Sequence, residues 1–119
     1  MKKILIVDDE EGIRESYKAI LEDSFITETA ESAEKALEIL DDSFSLVLTD
    51  YDLKHANYDG KWLAGRIKNK FNGRITVIMI SGAITGISNT EKETLGICDF
   101  LAKPFDIDVF SGMINKYLK

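Results

Sequence analysis

Short, uninterrupted apolar runs are the most regular feature of this chain. Four strong runs and one weaker run recur along it: Ile4–Val7, Leu46–Leu48, Ile75–Ile80 and Phe100–Ala102, with Ile26–Ala30 as the weaker one. Because the strong runs do not alternate polar with apolar residues, they predict strands that are buried on both faces, as in a parallel sheet. The weaker run predicts an edge strand.

Apolar residues at helical spacing occupy the segments between these runs. The four sets are Ile13, Tyr17, Ile20 and Leu21; Ala33, Ala36, Leu37 and Leu40; Leu63, Ile67 and Phe71; and Phe110, Met113, Ile114 and Tyr117. A fifth, short helix is expected to end near Gly96, with a capping box formed by either Ser88 and Glu91 or Thr90 and Glu93. Strand and helix therefore alternate five times, which predicts a doubly wound α/β sandwich with right-handed crossovers.

Composition and charge narrow the class of protein. The chain has 119 residues, with 45% hydrophobic and 30% charged residues, which predicts one globular domain with a core of its own. The net charge of −6 argues against non-specific binding to nucleic acid and against docking on anionic membranes.

The compartment is predicted from the cysteine count and the hydrophobic runs. The single cysteine, Cys98, cannot form an internal disulfide, which favours a reducing compartment. The apolar run Ile4–Val7 is too short for a signal peptide, and no run approaches the length of a membrane span. We therefore expect a soluble, cytoplasmic protein.

Polar side chains follow every strong strand of the predicted sheet. Asp8 and Asp9 follow the first strand, Asp50 the third, Ser81 the fourth and Lys103 the fifth. Ligands of doubly wound folds bind beyond the carboxyl ends of the strands, where the strand order switches. The sequence therefore predicts that these side chains share one rim of the sheet.

The chemistry of such a rim suits a phosphoryl group. Two unit charges about 4 Å apart repel by on the order of 4 kcal/mol at an effective dielectric constant of about 20, so clustered carboxylates need a compensating cation. Mg²⁺ binds one or two carboxylates together with waters and a phosphate. Lys103 adds a positive charge and Ser81 adds a hydroxyl donor. A carboxylate can itself be the nucleophile and form an aspartyl phosphate.

Taken together, these positions resemble the receiver domain of two-component response regulators, as in chemotaxis regulators. The features that carry the resemblance are the Asp8–Asp9 pair, Asp50, Ser81 and the Lys103–Pro104 pair, each at the end of its own strand. The resemblance covers residues 1–119 as one receiver domain. It implies a flavodoxin-like, three-layer sandwich with a five-stranded parallel sheet in the order 2-1-3-4-5.

The resemblance implies a role for each acidic residue. Asp50 would accept a phosphoryl group from a histidine kinase or a histidine phosphotransfer protein. Asp9 and Asp50 would ligate Mg²⁺, together with the backbone carbonyl of Asp52, and Asp8 would hold a water on the metal. The domain would catalyse its own phosphotransfer and slow dephosphorylation, without turning over external substrates.

The resemblance also implies roles in switching. Lys103 would pair with the phosphoryl oxygens, Ser81 would move to donate a hydrogen bond to them, and Phe100 would be the switch aromatic that turns inward. The Lys103–Pro104 bond would be cis. The output would be a change in the surface of helix 4, strand 5 and helix 5, which would bind a downstream protein or a second copy of the chain.

The chain departs from the family in one loop. The stretch DYDLKHANYDG, residues 50–60, is about two residues longer than usual and lacks the family's proline. The hypothesis is that this loop alters kinase docking or metal access and leaves the acceptor chemistry intact. Asp52 places an additional acid beside the phosphoryl site, and Gly82 is expected to leave room for an attacking water.

Three alternatives stay open from the sequence. The stretch DYDLK, residues 50–54, resembles the nucleophile motif of haloacid dehalogenase-like phosphatases, although the acidic pair comes first here. The domain could be a binding module that keeps the fold without being phosphorylated. Finally, the receiver either acts alone or belongs to a longer regulator whose output domain is missing from these residues.

Overall fold

The computed structural model describes residues 1–53, 58–82 and 88–119. Its strands are β1 (Lys3–Val7), β2 (Ile26–Ala30), β3 (Leu46–Asp50), β4 (Thr76–Ser81) and β5 (Asp99–Ala102). Its helices are α1 (Glu11–Leu21), α2 (Ala33–Ile39), α3 (Gly60–Phe71), α4 (Asn89–Leu95) and α5 (Ile107–Leu118). Among the helices of the described ranges, none is long and apolar enough to cross a membrane. The predicted alternation of strand and helix is confirmed.

All five of these strands are parallel and form one sheet. The strand order is β2-β1-β3-β4-β5, so the predicted order is confirmed and β2 lies at an edge, as its weaker apolar run predicted. The chain leaves β1 towards one edge and returns to β3 on the other side of β1. The order therefore switches between β1 and β3, and the crevice for a ligand opens at their carboxyl ends.

The sheet separates two hydrophobic cores. Successive side chains of a strand point to opposite faces, and here both faces are apolar. One core includes Leu5, Val7, Val47, Val77 and Met79 from the sheet, packed with residues of α2 and α3. The other includes Ile4, Ile6, Leu46, Leu48, Ile78 and Ile80, packed with residues of α1 and α5. The continuous apolar runs of β1, β3 and β4 are thus explained by helices on both sides. The prediction for the run Phe100–Ala102 is wrong in this respect, because β5 lies at the second edge of the sheet and is only partly buried.

Side chains at the helix ends fix where the helices begin and stop. Of the two predicted capping boxes, the structure contains the one formed by Ser88 and Glu91. The side chain of Asp59 caps α3 by accepting a hydrogen bond from the N–H of Trp62 at 2.8 Å. Gly96 follows α4 with φ of 79°, a left-handed conformation that a glycine adopts without strain.

Gly60 allows α3 to start directly against the end of β3. Its N–H donates to the carbonyl of Tyr51 at 2.9 Å. A Cβ at this position would lie 2.9 Å from Sδ of Met79 and would overlap the carbonyl oxygen of Asp50. The Asp-Gly pair that closes the loop therefore has a steric reason: only a residue without a side chain fits beside Asp50.

Two glycines of α3 are expected to respond oppositely to alanine. Gly60→Ala should destabilise the fold by about 1–3 kcal/mol, because the added methyl group overpacks the contact with Asp50 and Met79. Gly65→Ala should stabilise it by roughly 0.5–1 kcal/mol, since Gly65 lies inside α3 and a Cβ there would meet nothing within 4 Å. Urea unfolding of both variants measures the difference. Equal stability of Gly60→Ala and the wild type would contradict the steric argument.

Candidate functional site

The predicted rim exists, with its side chains delivered by the ends of β1, β3, β4 and β5. Asp50 and Ser81 are the last residues of β3 and β4, while Asp8 and Lys103 directly follow β1 and β5. Backbone hydrogen bonds tie these ends together. The N–H of Tyr51 donates to the carbonyl of Ile80 at 2.8 Å, and that of Lys103 donates to the carbonyl of Ser81 at 2.9 Å.

Asp50 and Lys103 form the central contact of the site. Nζ of Lys103 lies 3.1 Å from Oδ2 of Asp50, and the Asp50 side chain is only 13% exposed. The other carboxylate oxygen, Oδ1, accepts a hydrogen bond from the N–H of Asp52 at 3.1 Å. The Asp50 carboxylate is thus held on both oxygens and is partly shielded from solvent.

Asp8 is the most buried acid of the site. Its side chain accepts a hydrogen bond from the N–H of Glu10 at 2.9 Å, and the residue is 2% exposed. Burial raises the pKa of the Asp8 carboxyl, and the adjacent charge of Asp50 adds to the rise, so that the pKa reaches about 6 even though the Glu10 N–H and the Lys103 ammonium lower it. Asp8 and Asp50 therefore form a pair of close carboxyl groups.

The other predicted site residues lie around this centre. Asp9 is half-buried next to Asp8, and Asp52 is exposed two residues after Asp50. Ser81 is 2% exposed, and Phe100 is half-buried against the core on the side of α2 and α3.

Two neighbours of Lys103 complete the described part of the site. The predicted cis bond between Lys103 and Pro104 is confirmed. A Cβ added to Gly82 would lie 3.6 Å from Cβ of Lys103, an ordinary van der Waals distance. The middle of the long loop, residues 54–57, lies outside the described residues, and so does the segment 83–87 that follows Gly82.

The donor set fits a hard divalent cation. The structure brings two carboxyl groups together, those of Asp8 and Asp50, whose mutual repulsion a cation would relieve. Within the described ranges, no cluster of three or more acidic, histidine or cysteine residues is already arranged around one metal position. Mg²⁺ needs only one or two protein carboxylates, because waters and a phosphate complete its coordination. The carboxyl groups of Asp8 and Asp50 are therefore enough protein ligands of the right type.

Two residues of α1, Arg14 and Tyr17, interact with the acids of the site in ways that were not predicted from the sequence. A guanidinium nitrogen of Arg14 donates to the carbonyl oxygen of Asp8 at 2.7 Å and so holds the turn after β1. Tyr17 is buried, and its pKa rises to about 12, first through burial and then through the charges of Asp8 and Asp50. Helical spacing placed Tyr17 in the core, but no sequence signal linked either residue to the acids.

Comparison with known proteins agrees with this geometry. Residues 4–115 match the family described as the response regulator receiver domain. The chain belongs to this family. The match also removes the haloacid dehalogenase-like alternative, since Asp8, Asp9, Asp50 and Lys103 all lie within the matched receiver domain.

Curated relatives are longer than this chain. A putative NtrX-like response regulator of Rickettsia bellii is 36% identical over 88% of this chain, which spans 22% of that protein. The response regulator Rre1 of Synechocystis sp. is 32% identical over 97% of this chain, which spans 51% of that protein. The chain therefore covers about a fifth to a half of these relatives.

Solved structures share the fold along nearly the whole chain. The receiver domain of NtrX from Brucella abortus superposes with a TM-score of 0.84 at 35% identity, covering 97% of each chain. The response regulator TrrA of Thermotoga maritima, solved in complex with Mg²⁺ and BeF, superposes with a TM-score of 0.82 at 28% identity, covering 98% of this chain and 99% of that one.

The buried Asp8 predicts a specific pH dependence in the metal-free protein. Its pKa in the folded state, about 6, lies above its ordinary value of 3.8, so folding favours the protonated carboxyl. The contribution of Asp8 to stability is thus lost as the pH rises from about 4 to above 6, on the order of 2–3 kcal/mol. In the presence of a chelator, the free energy of unfolding of Asp8→Asn, relative to that of the wild type, should increase as the pH rises across that range. Urea unfolding at several pH values measures this difference. A constant difference across the range would contradict this.

Proposed function

We propose that this domain is a phosphorylation-dependent switch whose phosphoryl acceptor is Asp50. The observation that supports this proposal most directly is the ion pair between Asp50 and Lys103 at 3.1 Å, beside the buried carboxyl of Asp8. A carboxylate at the end of a buried strand, next to a lysine and a serine from the two following strands, is suited to receiving a phosphoryl group.

The proposed reaction is a displacement at phosphorus. A carboxylate oxygen of Asp50 forms a bond to the phosphorus of a phosphohistidine on a kinase or a histidine phosphotransfer protein. The bond between phosphorus and the imidazole nitrogen breaks, and the imidazole leaves with the electron pair. Lys103, whose Nζ is 3.1 Å from Oδ2 of Asp50, would neutralise charge on the transferred group, and the Ser81 hydroxyl would donate to its oxygens.

The residues proposed to hold Mg²⁺ are Asp8, Asp9, Asp50 and Asp52. When bound, Mg²⁺ would neutralise the negative charge of the carboxylates and of the incoming phosphate. The residues themselves supply the oxygen donors and keep the acceptor in place. Asp50 is oriented by the N–H of Asp52 and by Lys103, while Asp8 is oriented by the N–H of Glu10.

The proposed output surface is the face of α4, β5 and α5. Asp99 links all three elements, because its carboxylate accepts from the hydroxyl of Tyr117 at 2.9 Å and lies 3.6 Å from Nζ of Lys92 and 3.4 Å from Nζ of Lys116. Burial alone would raise the pKa of Asp99, but the N–H of Phe100, the Tyr117 hydroxyl and both lysines hold it below its usual value.

Ser81 and Phe100 connect the acceptor to that surface in this proposal. Ser81 ends β4 at the acceptor, and β4 pairs with β5, in which Phe100 lies opposite Met79. A movement of Ser81 towards a phosphoryl group would shift the balance between two packings of Phe100, and hence of the adjacent face. The partner on that face would be a downstream protein, an attached output domain or a second copy of the chain.

Phosphorylation by a small donor tests the acceptor directly. With Mg²⁺ and acetyl phosphate, the wild type should gain the mass of one phosphoryl group, and Asp50→Ala should gain none. A chelator added first should prevent the gain. Asp42→Ala removes an exposed acid that pairs with Arg74 and is the matched control, expected to react like the wild type.

If the wild type forms no adduct, binding of beryllofluoride, which mimics the phosphoryl group, distinguishes two explanations. Binding of beryllofluoride would indicate a short-lived aspartyl phosphate. Absence of both adduct and binding would overturn the proposal and favour a module that keeps the fold without being phosphorylated.

The acid at position 52 should strengthen the attraction for the cation. If Asp52 lies about 8 Å from a divalent ion in bulk water, removing its charge weakens the attraction by on the order of 1 kcal/mol, or about fivefold in affinity. Calorimetric Mg²⁺ titration of Asp52→Asn should detect this loss, and the lifetime of the phosphoryl group should change with it. Asp52→Glu keeps the charge and is the matched control. Unchanged affinity and lifetime in Asp52→Asn would contradict the prediction.

A further inference from the structure

One segment of this acidic protein carries cationic residues without any acidic residue. Residues 60–74, which comprise α3 and the turn after it, contain five cationic residues and no acidic residue: Lys61, Arg66, Lys68, Lys70 and Arg74. Because the whole chain has a net charge of −6, the remaining residues carry −11. This segment, here called the cationic segment, therefore has a field opposite in sign to that of the rest of the molecule.

A groove runs along the cationic segment where α3 faces α4. It has a volume of about 410 Å³, and α4 contributes Thr94 and Leu95 to its wall. The wall formed by α3 includes Trp62, Gly65, Arg66 and Asn69. The spacing of these residues places them on one face of the helix. Asp59 and Lys61 complete the lining, so it combines apolar side chains with two cations, an amide and one carboxylate. That carboxylate already accepts a hydrogen bond from the N–H of Trp62 as the cap of α3.

An aromatic pair lies at the start of α3, and one member of it, Trp62, lines the groove. The rings of Tyr58 and Trp62 stack with their centroids 3.9 Å apart. Cζ of Arg66 lies 5.5 Å from the centroid of the Trp62 ring, within the range of a cation–π interaction. Trp62 is only half-buried, so part of this aromatic surface stays accessible from the groove.

The cations of the segment divide into two groups. Two are used within the fold, because Nζ of Lys68 donates to the carbonyl of Glu93 at 2.9 Å and Arg74 pairs with Asp42 at 3.0 Å. In the described part of the chain, no acidic side chain pairs with Lys61, Arg66 or Lys70. Arg66 and Lys61 both line the groove between α3 and α4.

Gly65 keeps the floor of the groove open. Glycine inside a helix is unfavourable compared with alanine, and a Cβ at Gly65 would meet nothing within 4 Å. Packing therefore does not require a glycine here. The effect of the missing side chain is to leave space between Trp62 and Asn69, where a side chain from another molecule could insert.

We propose that the groove between α3 and α4 binds a short acidic segment of a partner polypeptide that carries a large apolar side chain. The apolar side chain would contact Trp62 and Leu95 above Gly65, and its acidic neighbours would pair with Lys61 and Arg66. A peptide fits better than a nucleic acid, because the −11 charge of the remaining residues would repel a long polyphosphate. This surface is additional to the acceptor site and to the face of α4, β5 and α5.

Trp62 provides a direct readout, because it is the only tryptophan of the chain. The probe is a tryptophan-free peptide of Asp and Glu residues with a central Leu-Phe. Titration should shift the emission of Trp62 in a saturable manner, and added salt should weaken the binding. A peptide with Ser-Ser in place of Leu-Phe should bind more weakly, and one with Lys in place of the acids should not bind.

Reversing the charges that line the groove, and comparing this with an equal charge reversal elsewhere, tests whether the peptide binds at the groove. Lys61→Glu combined with Arg66→Glu should weaken peptide binding by at least about tenfold. Lys2→Glu combined with Lys119→Glu makes the same change in net charge at the two ends of the chain and should change binding far less. Both double variants should still be phosphorylated by acetyl phosphate, which separates a failure of this proposal from a failure of the acceptor site.

A second pair of variants tests the open floor without changing charge. Gly65→Gln should fill the groove and weaken the binding, while Gly112→Gln makes the same substitution inside α5 and should not. The proposal is overturned if the acidic peptide leaves the Trp62 emission unchanged, or if the two double variants bind it equally. It is also overturned if only duplex DNA or anionic vesicles change the emission, since the surface would then serve another class of partner.

Discussion

The close approach of two carboxyl groups, Asp8 and Asp50, is the constraint on which the rest of this structure depends. Burial and mutual repulsion raise the pKa of Asp8 to about 6, so the pair is an unfavourable arrangement that the fold must hold in place. The ion pair between Lys103 and Asp50 offsets part of that repulsion. Asp8 follows β1, Asp50 ends β3 and Lys103 follows β5. The repulsion and the ion pair that offsets it therefore connect three strands at the carboxyl end of the sheet.

The packing of the sheet supplies the rigidity that this balance requires. The strands β1, β3 and β4 are buried on both faces, so their last residues have little freedom to relax away from a like charge. Gly60 adds a second constraint, because it lets the start of α3 press against the carbonyl of Asp50. The same features that hold the two carboxyl groups together would position them for a cation and a phosphoryl group.

Much of this arrangement could be predicted from the sequence because each strong apolar run is followed at once by a polar residue. That pattern placed Asp50 and Lys103 at the same rim, and their contact at 3.1 Å confirms it. The sequence could not distinguish buried Asp8 from half-buried Asp9, because both acids follow β1 and burial is decided by the packing of other elements. The contact of Arg14 with Asp8 was missed for a related reason: it depends on how α1 turns back over the site.

The net charge of a chain indicates which partners the whole molecule attracts, but it says less about which partners a single surface can bind. The value of −6 argues against polyanionic partners for the chain as a whole, and that argument holds for long nucleic acids and membranes. It does not apply to a short acidic segment, because such a segment would face Lys61 and Arg66 in the groove. The one acid of the groove, Asp59, is already bound to the N–H of Trp62 as the cap of α3. At physiological salt, charges more than about 8 Å away are largely screened, so the local sign of α3 decides what can dock there.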